Sequence, residues 1–456
     1  MASRSEQLHL AGFLHASHPV IHSHAAWRLP ETDASGFLTP EYYQGIARTL
    51  ERGKFDLLFF ADVLCIADQY RGGFEYTVEH GGQSATMLDP LLVASVIGAA
   101  TRSIGVGVTR STTYFQPYDL ARAFATLDHL TRGRAAWNVV TSASDSEAAN
   151  FGLAQHLEHD TRYARAEDFI QAASALWASW GQNALRLDKQ RGVFADASQV
   201  RRIDHVGPYV KVRGPLSVPR SPQGRPVIIQ AGSSERGRDF AARHAEVVFT
   251  SPTNASAMKE FYGDLKTRVA AAGRNPRSCV ILPAVMPFVA ESESEAREKQ
   301  ALNHELADPE LGLVTLSRNI NHDLFQHPLD QPLGTLAHNR GHKSQLEQVL
   351  KLSSDENLTL RQLGKRFAES RLLLQLVGTP KQVADQLQAL FEEETGDGFV
   401  ISPASLPVAY EDFVRLVVPE LQRRGLHRRE YRGHTLRDHL GLPALDDARQ
   451  AAAGTR

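Results

Sequence analysis

The chain predicts an α/β fold, a (β/α)8 TIM barrel with insertions after strands 2, 4 and 7. Two observations carry this. Short β-branched apolar runs alternate with helical patterns through eight beats, which is the mark of parallel βαβ units. No shift in composition divides the 456 residues into halves, which favours one barrel over the alternative, a doubly wound sheet. The reading is a single domain over residues 1–442, with insertions at about 63–88, 184–222 and 291–375, and a flexible Ala- and Asp-rich tail over 443–456.

The first strand spans about 9–15. Residues 40–53 read as a helix, with Pro40 at its start, Tyr43, Ile46, Ala47 and Leu50 on one face, and Gly53 at its end. Residues 55–61 form a continuous apolar strand that stops at Asp62. A helix over 91–101, a strand over 104–109 and a helix over 118–130 follow. The fourth strand, 135–141, leads through a polar loop into a helix over 163–180. The runs at 191–194 and 209–212 read as the two arms of an inserted hairpin. The beat resumes with strands over 226–231, 246–250 and 280–289, separated by helices over 232–244 and 255–272. Residues 291–375 are polar, helical and too long for an ordinary loop. A helix over 380–393, a strand over 398–402 and a helix over 410–425 complete the pattern.

Composition narrows the function. A formal net charge of -2 gives no reason to expect nucleic acid or an anionic membrane as a partner. The two cysteines, Cys65 and Cys279, make no disulfide framework, and no apolar run reaches membrane-spanning length. The expectation is a cytoplasmic enzyme.

A barrel of this kind gathers its chemistry at the C-terminal ends of its strands. That rim collects His15, His18, His22 and His24 after strand one, Asp62 after strand two, Thr109 after three and Asn138 to Ser142 after four. His156, His159, Arg162 and Tyr163 follow the fourth strand. Strand five ends in Gln230-Ala231-Gly232-Ser233-Ser234 and enters a helix. Small residues and hydroxyls before a helix N-terminus suit a phosphate, although Gly-Ser there is also an ordinary cap. His22-Ser23-His24 could share a metal ion, but no later strand end supplies a further His or Asp ligand, so no metal is expected. His156-Leu157-Glu158-His159 lacks the spacing of a zinc helix. Gly105-Val106-Gly107 has no third glycine in place, so no dinucleotide-binding fingerprint is present.

Several short segments in order resemble the bacterial luciferase-like flavin monooxygenases. The branch is that of nitrilotriacetate, long-chain alkane and dibenzothiophene sulfone monooxygenases, and the dibenzothiophene sulfone members are nearest. The segments are His9-Leu10-Ala11-Gly12-Phe13, His24-Ala25-Ala26-Trp27-Arg28, residues 49–56, Asn138-Val139-Val140-Thr141-Ser142, residues 156–163, Arg213-Gly214-Pro215-Leu216 with residues 219–224, and Leu436-Arg437-Asp438-His439-Leu440. The resemblance implies the barrel already inferred, a homodimer or homotetramer, and a separate NADH-dependent flavin reductase that supplies reduced FMN (FMNH2). Dioxygen is the cosubstrate and reacts through a flavin C4a-(hydro)peroxide. Carried over by position, Asp62, Thr109, Asn138, His159, Tyr163, Ser233 and Ser234 contact FMN. His22, then His24, is the acid–base candidate, with His322 or Asn319 as partner from a lid over 291–375. Phe13, Phe59 and Phe249 line an aromatic pocket, or are simply barrel core. The implied reaction cleaves a C–S bond of an aromatic sulfone or related organosulfur compound; aminopolycarboxylates and alkanes stay open. Two loops, 65–82 and 317–328, depart from the nearest members and are expected to face the substrate. The rival readings are a metal-dependent amidohydrolase-like enzyme built on His22 and His24, and a non-catalytic flavin-binding protein.

Overall fold

The computed structural model describes residues 7–334, 336 and 341–445. Eight parallel strands make the barrel wall: His9–His15, Leu57–Ala61, Gly105–Ser111, Ala135–Val140, Val227–Gln230, Val247–Thr250, Val280–Val289 and Gly398–Ile401. The ring closes where His9 pairs with Gly398 and Ala284 with Val400. The strands are apolar throughout because both faces are covered. Alternate residues divide between two cores. Leu58, Phe60, Trp137 and Ile228 pack outward against the helices. Ala11, Phe59, Ala136, Ile229 and Phe249 fill the interior. Small side chains at Ala11 and Ala136 leave the interior volume to the two phenylalanines.

The underside of the barrel is pinned by buried ions. Glu246 takes Arg225 at 2.8 Å, Arg437 at 2.7 Å and the Ile228 N–H at 3.0 Å. Asp56, fully buried, accepts from Arg428 and from the Leu10 N–H. Arg428 and Arg437 belong to the C-terminal segment, so these pairs fasten the end of the chain beneath the second and sixth strands.

Several elements depart from the sequence reading. The insertion after strand four holds two hairpins rather than one: Leu185–Asp188 with Val193–Ala195, and His205–Val206 with Lys211–Val212. The cause is local. The Asp188 carboxylate accepts the N–H groups of Gln190 and Arg191, and Gly192 turns with φ 66, so the first run folds back on its own neighbour. Residues 374–378, assigned partly to the long insertion, form a further parallel strand, Leu374–Gly378, on the far half of Val280–Val289. That strand is ten residues long, and only its near half is needed for the barrel wall. The helix expected at 163 starts four residues earlier, as His159–Trp177. The last helix is interrupted by a π turn, Phe413–Val417, just ahead of Pro419, which has no N–H to give. Of the tail, only residues 443–445 fall among the described residues.

The insertions after strands two and seven form a cap with its own apolar core. Ala67 and Tyr70 of the first meet Leu313, Leu316, Leu324 and Phe367 of the second. Helices Pro309–Ile320 and Leu360–Ser370 cross at Gly312 and Gly364. A Cβ on Gly312 would stand 2.0 Å from the Gly364 carbonyl oxygen, so only glycine permits this approach. Among the described residues no helix is long and apolar enough to cross a membrane.

Replacing Glu246 with Gln would leave two buried guanidinium groups without a counter-charge. Breaking a buried pair of this kind costs about 3–5 kcal/mol. Thermal or denaturant unfolding of E246Q at neutral pH should show a loss of that order; a midpoint equal to that of the unaltered protein would refute the assignment.

Candidate active site

A cavity of about 350 Å³ opens at the C-terminal rim of the barrel, beneath the cap, within the range of ligand pockets. Barrel strand ends and cap helices both line it. One end is built for an anion. His159 is the first residue of its helix and Tyr163 lies one turn on, so both point the same way, with ring centroids 5.1 Å apart. Ser234 caps the helix Glu235–His244, accepting the Gly237 N–H at 3.1 Å, and its hydroxyl lies 3.4 Å from His159 Nε2. Ser233 stands beside it on the cavity wall. This is a set of hydroxyl and imidazole donors at a helix N-terminus, where unpaired N–H groups favour negative charge.

The wall beyond that end presents acceptors. The Thr109 hydroxyl donates to the Phe60 carbonyl at 2.9 Å and therefore accepts from Asn138 Nδ2, also at 2.9 Å. This fixes the Asn138 amide and leaves its Oδ1 buried with no partner, facing the cavity. Gln230 Oε1 is likewise unpartnered. Asp62 completes the wall. Burial pushes its carboxyl up to about 7, although the Arg110 guanidinium lies 3.8 Å away and opposes the shift. All seven residues expected around FMN therefore line one cavity.

The other candidates separate. Phe13 reaches the cavity and Asn319 reaches it from the cap. Phe59 and Phe249 do not line it. They pack edge-on in the barrel core, Phe13 against Phe59 at 5.1 Å and Phe59 against Phe249 at 4.8 Å, all three pointing inward from the strands. His22 lies behind Phe13, its ring 4.5 Å away, with Nδ1 held 2.5 Å from the Ser402 hydroxyl. His24 is buried against the cap, Nε2 3.0 Å from the Thr315 hydroxyl. These two rings have different partners, and among the described residues no three His, Cys, Asp or Glu side chains gather as a metal site would require. His322 pairs with His327 at 2.7 Å outside the cavity lining.

The cavity residues outside the expected set include His15, Arg318, His342 and Arg371. His15 was visible as a rim histidine at the end of strand one. Arg318 had a signal too, a cation within the otherwise apolar run Leu311-Gly312-Leu313-Val314-Thr315-Leu316-Ser317. Arg371 had none, since its position depends on a left-handed turn (φ 52) that ends the helix Leu360–Ser370. His342 is brought in by the cap fold alone. Burial, with Arg371 and Arg318 next, lowers His15 to about 3. His24 is lowered to about 3 by burial first, and His22 also falls well below its ordinary value by burial first. These imidazoles are neutral at pH 7.

The fold and rim define a parallel barrel with a ligand cavity at its strand ends, and comparison with known proteins gives its class. The luciferase-like monooxygenase family matches residues 20–398, and the chain belongs to that family. It is 49% identical to the dibenzothiophene-sulfone monooxygenase of Rhodococcus erythropolis (strain XP), over 96% of this chain and 98% of that one. It is 45% identical to nitrilotriacetate monooxygenase component A of Aminobacter aminovorans, over 92% and 93%. Among solved structures, a riboflavin lyase with modified FMN and riboflavin superposes with a TM-score of 0.90 at 33% identity, over 99% of this chain and 100% of that one. The protein is accordingly an enzyme of the monooxygenase class.

A histidine whose folded pKa is depressed binds fewer protons folded than unfolded, so its stability contribution is complete above about 6.5 and lost as pH falls. Ring-nitrogen NMR of labelled protein should show His15 and His24 neutral down to pH 5, with unfolding free energy declining from pH 6.5 downward. A titration of either ring between pH 6 and 7 would contradict the burial described.

Proposed function

We propose that this chain is the oxygenase of a two-component system that takes reduced FMN from a separate NADH-dependent flavin reductase and uses dioxygen to oxygenate a small organic substrate beside a heteroatom. The observation that carries the reading is the single cavity holding a phosphate-type cradle at His159, Tyr163, Ser233 and Ser234, and a fixed amide acceptor at Asn138. The residues fit the cofactor. A phosphate dianion would take the hydroxyls and the N–H groups of the helix at Glu235, and a ring N–H would satisfy the orphaned Asn138 Oδ1. When bound, reduced FMN supplies the two electrons that dioxygen needs to give one oxygen atom to the substrate and the other to water.

The protein's own share is binding, orientation and exclusion of water. Phe13 and the cap shield the ring side of the cavity from solvent. His15 is better placed than His22 to exchange a proton, because it lines the cavity with an unpartnered Nδ1, while Nδ1 of His22 is tied to Ser402 and its ring lies off the lining. The relative that acts on dibenzothiophene sulfone supports C–S cleavage, with a phenol and a sulfinate as products. The relative that acts on nitrilotriacetate supports a second reading, C–N cleavage of an aminopolycarboxylate, which the arginines of the cap favour.

Anaerobic titration should give tighter binding of reduced FMN than of reduced riboflavin. Ser234→Ala and Tyr163→Phe should each weaken FMN about tenfold, roughly 1.4 kcal/mol, and leave riboflavin unchanged. With NADH and a flavin reductase supplied, product should form in step with substrate-dependent oxygen uptake. Equal affinity for FMN and riboflavin would sink the phosphate cradle, and an inability to bind either would sink the flavin reading as a whole.

A further inference from the structure

Two cations stand in the cap side of the cavity without an acidic partner. Arg371 has no side-chain hydrogen bond or ion pair among the described residues; its guanidinium lies only over the Phe367 ring, 5.6 Å from the centroid. Arg318 is 6% exposed and touches neutral groups only: Asn319 Oδ1 at 2.8 Å, Gln83 Oε1 at 3.3 Å and the Ser84 hydroxyl at 3.4 Å. The two carboxylates on the cavity wall are engaged elsewhere, Asp62 near Arg110 and Glu147 with the Leu64 N–H. Arg318 is buried and Arg371 partly buried, and a guanidinium withdrawn from water without counter-charge is an unstable arrangement unless something negative joins it.

The pair is positioned by the cap's own architecture. Arg318 lies six residues beyond the crossing glycine Gly312, and Arg371 directly follows the partner helix that carries Gly364. Both therefore project from the same crossing into the same space. Burial and then Arg318 push Arg371 down to about 9, and burial, then Arg371 and Arg318, holds His15 low. They lie apart from the phosphate cradle, which is built from the fourth- and fifth-strand loops. The sulfone expected from the nearest relatives is neutral and would leave both charges uncompensated.

We propose that Arg318 and Arg371 form a carboxylate-binding subsite, so that the substrate oxygenated here carries at least one carboxylate held under the cap with its reacting carbon toward Phe13 and His15. The inference rests on the flavin oxygenase reading above. Two guanidinium groups can grip a carboxylate through paired N–H donors, which fixes orientation as well as charge. An anion between them also relieves the positive potential on His15, so its ring becomes a better proton acceptor only with substrate in place.

The test is calorimetric titration of the FMN-loaded protein with matched acids and esters: succinate and dimethyl succinate, nitrilotriacetate and its trimethyl ester, and dibenzothiophene sulfone with and without a ring carboxylate. At least one acid should bind about tenfold or more tighter than its neutral counterpart. That preference should vanish in Arg318→Gln and Arg371→Gln and persist in part in Arg371→Lys, which keeps the charge. Affinity for FMN should stay within about threefold in all three variants. Equal binding of every acid and its neutral counterpart by the unaltered protein, or a preference that survives both glutamine variants, overturns the subsite, and this comparison in the unaltered protein holds even if a variant fails to fold. Loss of FMN binding by the unaltered protein would instead refute the flavin reading.

Discussion

Closure of the parallel sheet is the constraint from which everything else follows. When the strand beginning at His9 pairs with the one beginning at Gly398, the eight barrel strands close on themselves, and their C-termini open on one rim. Parallel pairing also forces each strand to be covered on both faces, which explains the apolar runs and the division of alternate residues between inner and outer cores. The ion pairs of Asp56 and Glu246 hold the opposite end shut with the C-terminal segment, so polar chemistry is confined to the other rim.

On that rim, barrel and cap contribute different kinds of group. The barrel contributes short, well-fixed polar side chains: Thr109 locks Asn138, and Ser234 is locked by its own helix. The cap contributes long cations and a histidine on packed helices. The division suits a site in which one ligand must be held in a constant place and a second must be admitted and oriented. The glycine contact between Pro309–Ile320 and Leu360–Ser370 lets the cap approach closely enough to set Arg318 and Arg371 against the same space.

Much of the cofactor side was legible from the chain. Seven residues that the family resemblance implied fall on one cavity, several of them at strand ends that hydrophobic runs set. The histidines were harder. His15, His18, His22 and His24 are close in sequence, yet only His15 lines the cavity, since the irregular segment after strand one turns the others toward Thr86, Ser402 and Thr315. Phe59 and Phe249 were read as pocket or core residues and are core; of the three phenylalanines, Phe13, the register partner of Phe59, lines the cavity.

The sequence by itself determined the barrel, its insertions and the polar groups at its strand ends. Those depend on local periodicity and on chain order, which a one-dimensional pattern contains. Only the tertiary structure decided which side chains the cap adds. Arg318, His342 and Arg371 come together through a glycine-mediated helix crossing and a left-handed turn, contacts made between residues distant along the chain. The meeting of these cations is therefore a property of the packed cap, although Arg318 by itself left a mark in the chain.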